Sequence, residues 1–248
     1  MDENTKRKQI RKYFQPFPKW AIWMALIGLV IFIVGINSTA AVALIGVLLL
    51  GIGGFVIYSF TQGKATDQQM DSWLQEDFKQ LADKAIKKVG IESSELIKDP
   101  LTISGPILWG GINGVPSTDM VFKVGKDKRA RFGIYKINVF LLTDKQILLF
   151  EAYYNFLKMV TLNDKTEEFF YKDVTGLSTQ ETSSNFVLPN GQKLVNSQSF
   201  VLKVYNDPAI QVVLSSLELE KFVGGSIPTT EADKNIQALR TVWREKKG

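Results

Sequence analysis

The chain has 248 residues, with 30 Lys and Arg against 25 Asp and Glu, a net charge of +5, and neither cysteine nor histidine. Disulfides, zinc sites built on Cys or His, thiol catalysis and histidine triads are thereby excluded. Lys6, Arg7, Lys8, Arg11, Lys12 and Lys19 stand against Asp2 and Glu3 alone in residues 1–19, so most of the positive charge is local. No basic helix or alternating aromatic and basic strand accompanies it, which argues against nucleic acid as a partner.

After this basic tail come two apolar runs without a charged residue, Trp20 to Ile36 and Ala40 to Phe60, joined by Asn37, Ser38 and Thr39. At about 1.5 Å per residue each matches the roughly 30 Å of hydrocarbon in a bilayer. Backbone groups find no water there, and a helix satisfies its own. The pattern predicts a transmembrane helical hairpin over 20–60. A secretory signal ending at Ala41-Val42-Ala43 is the competing reading, but cleavage there cuts into the second run and still leaves an anchor. Retention of Lys and Arg on the cytoplasmic side predicts a multi-pass protein of the inner (cell) membrane, with N- and C-termini both cytosolic.

Within the hairpin, Ala21, Ala25, Gly28 and Gly35 form one helical stripe, and Ala43, Gly46 and Gly53 form another. Small residues let helix backbones approach closely in lipid. Gly28, Gly35, Gly46 and Gly53 are therefore expected to carry the packing of one helix on the other. Association between copies through the denser patch of Gly51, Gly53 and Gly54 is the alternative. No ionisable residue interrupts either run, which argues against an ion or substrate pathway.

Residues 61–98 read as an amphipathic helical linker. Met70, Leu74, Phe78, Leu81, Ala85 and Val89 recur at steps of three and four, predicting a helix from Asp67 to Val89 that Gly90 ends. Its apolar face is expected to pack on the domain that follows; self-association and contact with the bilayer are the alternatives. Leu101 to Pro116 reads as a Gly- and Pro-rich connector, with Trp109 either a core plug or an exposed contact.

From there the hydrophobic period shifts toward two. Thr143-Asp144-Lys145, Asn163-Asp164-Lys165, Pro189-Asn190-Gly191 and Asn206-Asp207-Pro208 each separate apolar runs, predicting the antiparallel hairpins of a β barrel or sandwich. Pro228-Thr229-Thr230 with Asp233 opens a C-terminal helix over 230–246 that carries Ile236, Leu239, Val242 and Trp243. Residues 99–248 are thus expected to form an α+β cytosolic domain.

Two stretches carry a family likeness. Val139-Phe140-Leu141-Leu142-Thr143-Asp144-Lys145-Gln146-Ile147-Leu148-Leu149-Phe150 is followed by Phe170-Tyr171-Lys172-Asp173-Val174-Thr175-Gly176-Leu177-Ser178. Together they resemble the strand, turn and strand, then the acidic-hydrophobic strand entry, of bacterial pleckstrin-homology-like domains in small two-helix membrane proteins. Tyr153 to Lys165 stands as extra sequence beside the shorter members. The resemblance implies a β barrel closed by a C-terminal helix, and a non-enzymatic domain that binds lipids, peptides or proteins; fold alone does not choose among these. Eukaryotic relatives of that fold bind phosphoinositides through a basic first hairpin. Here Lys126, Lys128, Arg129 and Arg131 occupy such a turn, and alternation along a strand sets Arg129 and Arg131 on one face as donors for phosphate. A merely solvated turn is the alternative.

No acid-base pair assembles from the sequence. Glu167 and Glu168 are adjacent on a predicted strand and point to opposite faces. Asp144, Asp164 and Asp207 read as turn residues bonded to nearby backbone. No nucleophile elbow, Ser-x-x-Lys pair or Walker loop occurs. The expectation is a non-enzymatic interaction module at the inner membrane face, without cofactor or metal. It engages a protein partner through an open strand edge or through Trp109, Tyr153, Tyr154 and Phe156. The alternatives are an anionic-lipid sensor working through the basic turn and a structural subunit of a homo-oligomeric assembly.

Overall fold

The computed structural model describes residues 2–110, 112–183, 186–205 and 207–247. It divides into two compact units, Met1–Thr66 and Asp67–Gly248.

The first unit is helical. The basic tail forms helix α1 (Glu3–Phe14), with Glu3 in its first turn and Arg11 and Lys12 in its last, the arrangement a helix dipole favours. The apolar runs form α2 (Lys19–Ile36) and α3 (Ala40–Thr61), 18 and 22 residues long. Both are long and apolar enough to cross a membrane, and only 17% and 11% of their apolar windows are buried within the protein. Trp23, Leu44 and Phe55 lie on the exposed surface. Lys12 Nζ approaches the carbonyl of Ser59 at 2.6 Å and also donates to that of Gln62, satisfying acceptors at the end of α3 that have no partner within the helix.

The two apolar helices pack through their glycines. A Cβ built on Gly28 would stand 2.6 Å from the Leu50 backbone nitrogen, and one on Gly53 would stand 2.8 Å from the Ala21 carbonyl oxygen. At Gly35 and Gly46 it would collide with the backbone of Ala43 and of Phe32. Gly51 and Gly54 have open space instead.

The second unit begins with α4 (Asp67–Val89), whose boundaries follow the three- and four-residue spacing, and Gly90 leaves it at φ 82°. The strands are β1 (Leu101–Pro106), β2 (Phe122–Val124), β3 (Ala130–Phe132), β4 (Ile134–Leu142), β5 (Gln146–Asn155), β6 (Val160–Phe170), β7 (Val174–Thr182), β8 (Ser197–Val204) and β9 (Asp207–Ser216). They form antiparallel sheets in the orders β1-β4-β5-β6, β2-β3 and β7-β8-β9. Two helices end the chain, α5 (Leu217–Val223) and α6 (Thr230–Lys247). The unit is therefore α+β, with antiparallel sheets and a C-terminal helix.

One apolar core lies between the larger sheets and α6. Phe140, Leu149, Phe200, Leu202 and Val212 meet Ile236, Leu239 and Val242 there. A second gathers Ile107, Trp109, Phe132, Ile134, Leu194, Val213 and Leu219. β1 and β9 approach so closely that any side chain at Gly105 would strike the Val213 carbonyl. That contact explains why the first six residues of the expected connector are a strand: Ser104-Gly105-Pro106 reads as a turn, yet glycine is there for close backbone approach.

Three further local expectations change. Asn163-Asp164-Lys165 is no turn, because β6 runs straight through it. Glu151 pairs with Lys165 and Tyr153 with Leu162, so Asn163 and Asp164 together oppose Ala152 in a β-bulge. Asn163 takes φ 52°, a left-handed conformation that Asn tolerates well, while the β5–β6 turn falls earlier, at residues 156–159. At residues 143–145 the side chain that shapes the turn is Thr143, whose Oγ1 accepts from Lys145 N and Gln146 N; Asp144 instead pairs with Lys246. Pro189-Asn190-Gly191 does turn the chain, with Gly191 at φ 83°, but joins only the isolated bridge Val187–Lys193. Of the expected turn at 206–208, Asn206 lies outside the described residues.

Candidate functional site

The basic turn forms where β2 and β3 pair, Lys123 opposite Arg131 and Val124 opposite Ala130. Lys126, Lys128 and Arg129 are exposed on it. Arg131 is not: it is 5% exposed, and its guanidinium reaches both oxygens of Asp71 at 2.7 Å and both oxygens of Asp127 at 3.1 and 2.8 Å. Asp67 accepts the Lys126 backbone N–H at 2.7 Å. The Arg131 hydrogen bond holds the Asp127 carboxyl down to about 2, against the desolvation that pushes it up. Arg129 and Arg131 therefore do not make a common fork for phosphate. Three cations stay on the turn, and the fourth fastens the turn to α4.

The aromatic candidates separate in the same way. Tyr154 and Phe156 are buried, and the Tyr154 hydroxyl donates to Asp77 Oδ2 at 2.6 Å, joining β5 to α4. Trp109 and Tyr153 border a cavity of about 260 Å³ together with Ile107, Ile112, Lys136, Phe186, Gln211 and Val213. Trp109 is buried and stacks on Phe186, ring centroids 4.4 Å apart and planes 17° apart. Tyr153 is half-buried and its hydroxyl has no hydrogen-bond partner among the described residues; burial, then the charge of Glu151, raises its pKa.

The cavity has a polar floor. Alternation along β4 puts Lys136 and Asn138 on the same face as Phe140. Lys136 Nζ donates to the Gln211 carbonyl at 3.1 Å and stands 3.0 Å from Glu151 Oε2, with Lys165 3.5 Å from the other carboxylate oxygen. Asn138, one pleat deeper, is fully buried, and neither its amide nitrogen nor its oxygen has a partner among the described residues. Lys136, Phe186 and Gln211 were not singled out from the sequence. The one available signal was Lys136 itself, a lone charge in the apolar run of Ile134 to Leu142.

A second accessible feature is the outer edge of β6. Its first half is held by Lys84 and Lys88, 3.1 and 2.8 Å from Asp164, and by Asn163 donating to the Asn113 carbonyl at 2.5 Å. From Thr166 to Phe170 no strand pairs on its far side among the described residues, and Phe170 is 52% exposed.

Two of the acidic turn candidates, Asp144 and Asp164, are engaged by lysines. Lys246 lowers the pKa of Asp144, and Lys88 with Lys84 lowers that of Asp164. No group of three or more Asp or Glu suited to a metal ion occurs among the described residues. No family model, curated protein or solved structure matches this chain.

Proposed function

We propose that this chain is a membrane-anchored, non-enzymatic interaction module whose β-rich domain, of pleckstrin-homology-like type, engages a protein partner at the inner membrane face. Two apolar helices with largely exposed surfaces support the anchor, and the basic N-terminal segment supports cytosolic placement of both termini. Antiparallel sheets with a C-terminal helix packed against their core support the domain type.

The observation that carries the partner reading is the β6 edge from Thr166 to Phe170. An unpaired strand edge offers backbone donors and acceptors to an extended segment of another chain. Exposed Phe170 adds an aromatic anchor beside it. The lipid-sensor alternative retains Lys126, Lys128 and Arg129 but loses Arg131 to its two carboxylates.

A photo-crosslinking amino acid at position 170, activated in native membranes and followed by mass spectrometry, tests the reading. A dominant foreign protein joined at that position is the expected result. Links to a second copy alone would replace the partner with a homo-oligomer, and lipid adducts alone would overturn the reading.

A further inference from the structure

We propose that the cavity between Trp109 and Lys136 binds a small planar aromatic carboxylate. The proposal does not depend on the protein partner above, since the cavity and the β6 edge are lined by different residues.

Size sets the first limit. Apolar cavities of about 150 Å³ take up benzene, so about 260 Å³ suits a bicyclic ring system with one small substituent. Shape sets the second. Trp109 and Phe186 already form a near-parallel stack, and Ile107, Ile112 and Val213 supply the remaining apolar wall. Offset stacking on such a pair favours a flat aromatic body over a branched aliphatic one.

Polarity selects the substituent. An ammonium has three N–H donors, and Lys136 directs one to the Gln211 carbonyl while standing 3.0 Å from Glu151 Oε2 as an ion pair, so at least one N–H is left for a ligand. The Tyr153 hydroxyl has no hydrogen-bond partner among the described residues. Among the described residues no acidic side chain lines the cavity; Glu151 is engaged by Lys136 and Lys165. An acceptor is therefore the group that completes the site, and a charged acceptor makes stronger hydrogen bonds than a neutral one.

Equilibrium dialysis on the full-length chain in lipid nanodiscs, with empty nanodiscs as the partition control, separates the parts of the proposal. The probes are indole-3-carboxylate, indole and acetate. Saturable binding of indole-3-carboxylate is expected, with indole about tenfold weaker, as loss of a charge-assisted hydrogen bond implies, and with acetate not retained. Tyr153→Phe removes a hydroxyl that makes no hydrogen bond among the described residues; it is expected to weaken the carboxylate several-fold and leave indole unchanged. Ile112→Trp fills the cavity and is expected to abolish binding of both. Val213→Phe provides a second filling variant should the first fail to fold. The proposal is overturned by absence of saturable carboxylate binding, by undiminished binding in a folded cavity-filled variant, or by equal affinity of wild type and Tyr153→Phe for indole-3-carboxylate.

Discussion

The helical unit and the β-rich unit solve the placement of apolar side chains in opposite ways. In α2 and α3 the large residues, Trp23, Leu44 and Phe55 among them, lie outside, and glycines occupy the contact. In the β-rich unit Phe140, Phe150 and Phe200 are wholly buried, and the surface is charged. Where lipid replaces water, burying an apolar side chain yields little, so close backbone approach must hold the helices together. Where water is the solvent, apolar burial drives folding and polar groups must be paired if they go inside.

The strongest way to break this contrast is to remove the carboxylates around a buried charge in the second unit. Asp71→Asn combined with Asp127→Asn takes both negative charges from beside the buried Arg131 guanidinium, an expected loss of about 2–3 kcal/mol because both carboxylates are partly exposed. Denaturant unfolding followed by near-ultraviolet circular dichroism measures it, and a loss below about 1 kcal/mol would refute the role given to that cluster. The same cluster responds to acid in a defined direction. Asp127 has its carboxyl lowered from 3.8 to about 2 in the fold, so its contribution is complete above about pH 5 and is lost as pH falls through about 2.

Next in size is the helical contact. Gly46→Leu places a side chain where even a Cβ meets the Phe32 backbone, and overpacking of that kind costs about 1–3 kcal/mol. Gly51→Leu meets open space and is expected to change nothing in the hairpin. Cysteines introduced across α2 and α3 report the difference as crosslinking yield in membranes. Equal yields in the two variants would show that the contact does not depend on close approach.

The smallest expected effect sharpens the comparison at the sheet edge. Asn163→Ala keeps the β6 bulge but puts alanine at φ 52° and removes the hydrogen bond to the Asn113 carbonyl. The strain and the lost bond together amount to about 1–2 kcal/mol. Asn163→Gly relieves the first part, so the glycine variant should melt above the alanine one.

How much of this was legible from sequence depended on the length of the pattern. α2, α3, α4 and α6 follow from unbroken apolar runs or sustained spacing, and Gly90 marks the end of α4 as Pro228 marks the approach to α6. β1 was hidden behind Ser104-Gly105-Pro106, because a glycine serving close approach looks like a glycine serving a turn. α5 escaped notice because Leu217-Glu218-Leu219-Glu220 alternates as a strand does.

The site was less legible for a physical reason. Arg131 and Asp71 lie 60 residues apart, and nothing local signals that the arginine will be buried. The Trp109 cavity draws Lys136, Tyr153, Phe186 and Gln211 from separate strands and loops, a convergence that only the register of the sheets creates.

The bonds from Lys12 to the carbonyls of Ser59 and Gln62 span 47 and 50 residues of chain. A ribosome delivers the donor long before either acceptor exists. α1 must therefore keep its lysine solvated until α2 and α3 have both formed and the chain has turned back. Its docking is then a late event of folding, reporting that the two-helix hairpin is complete.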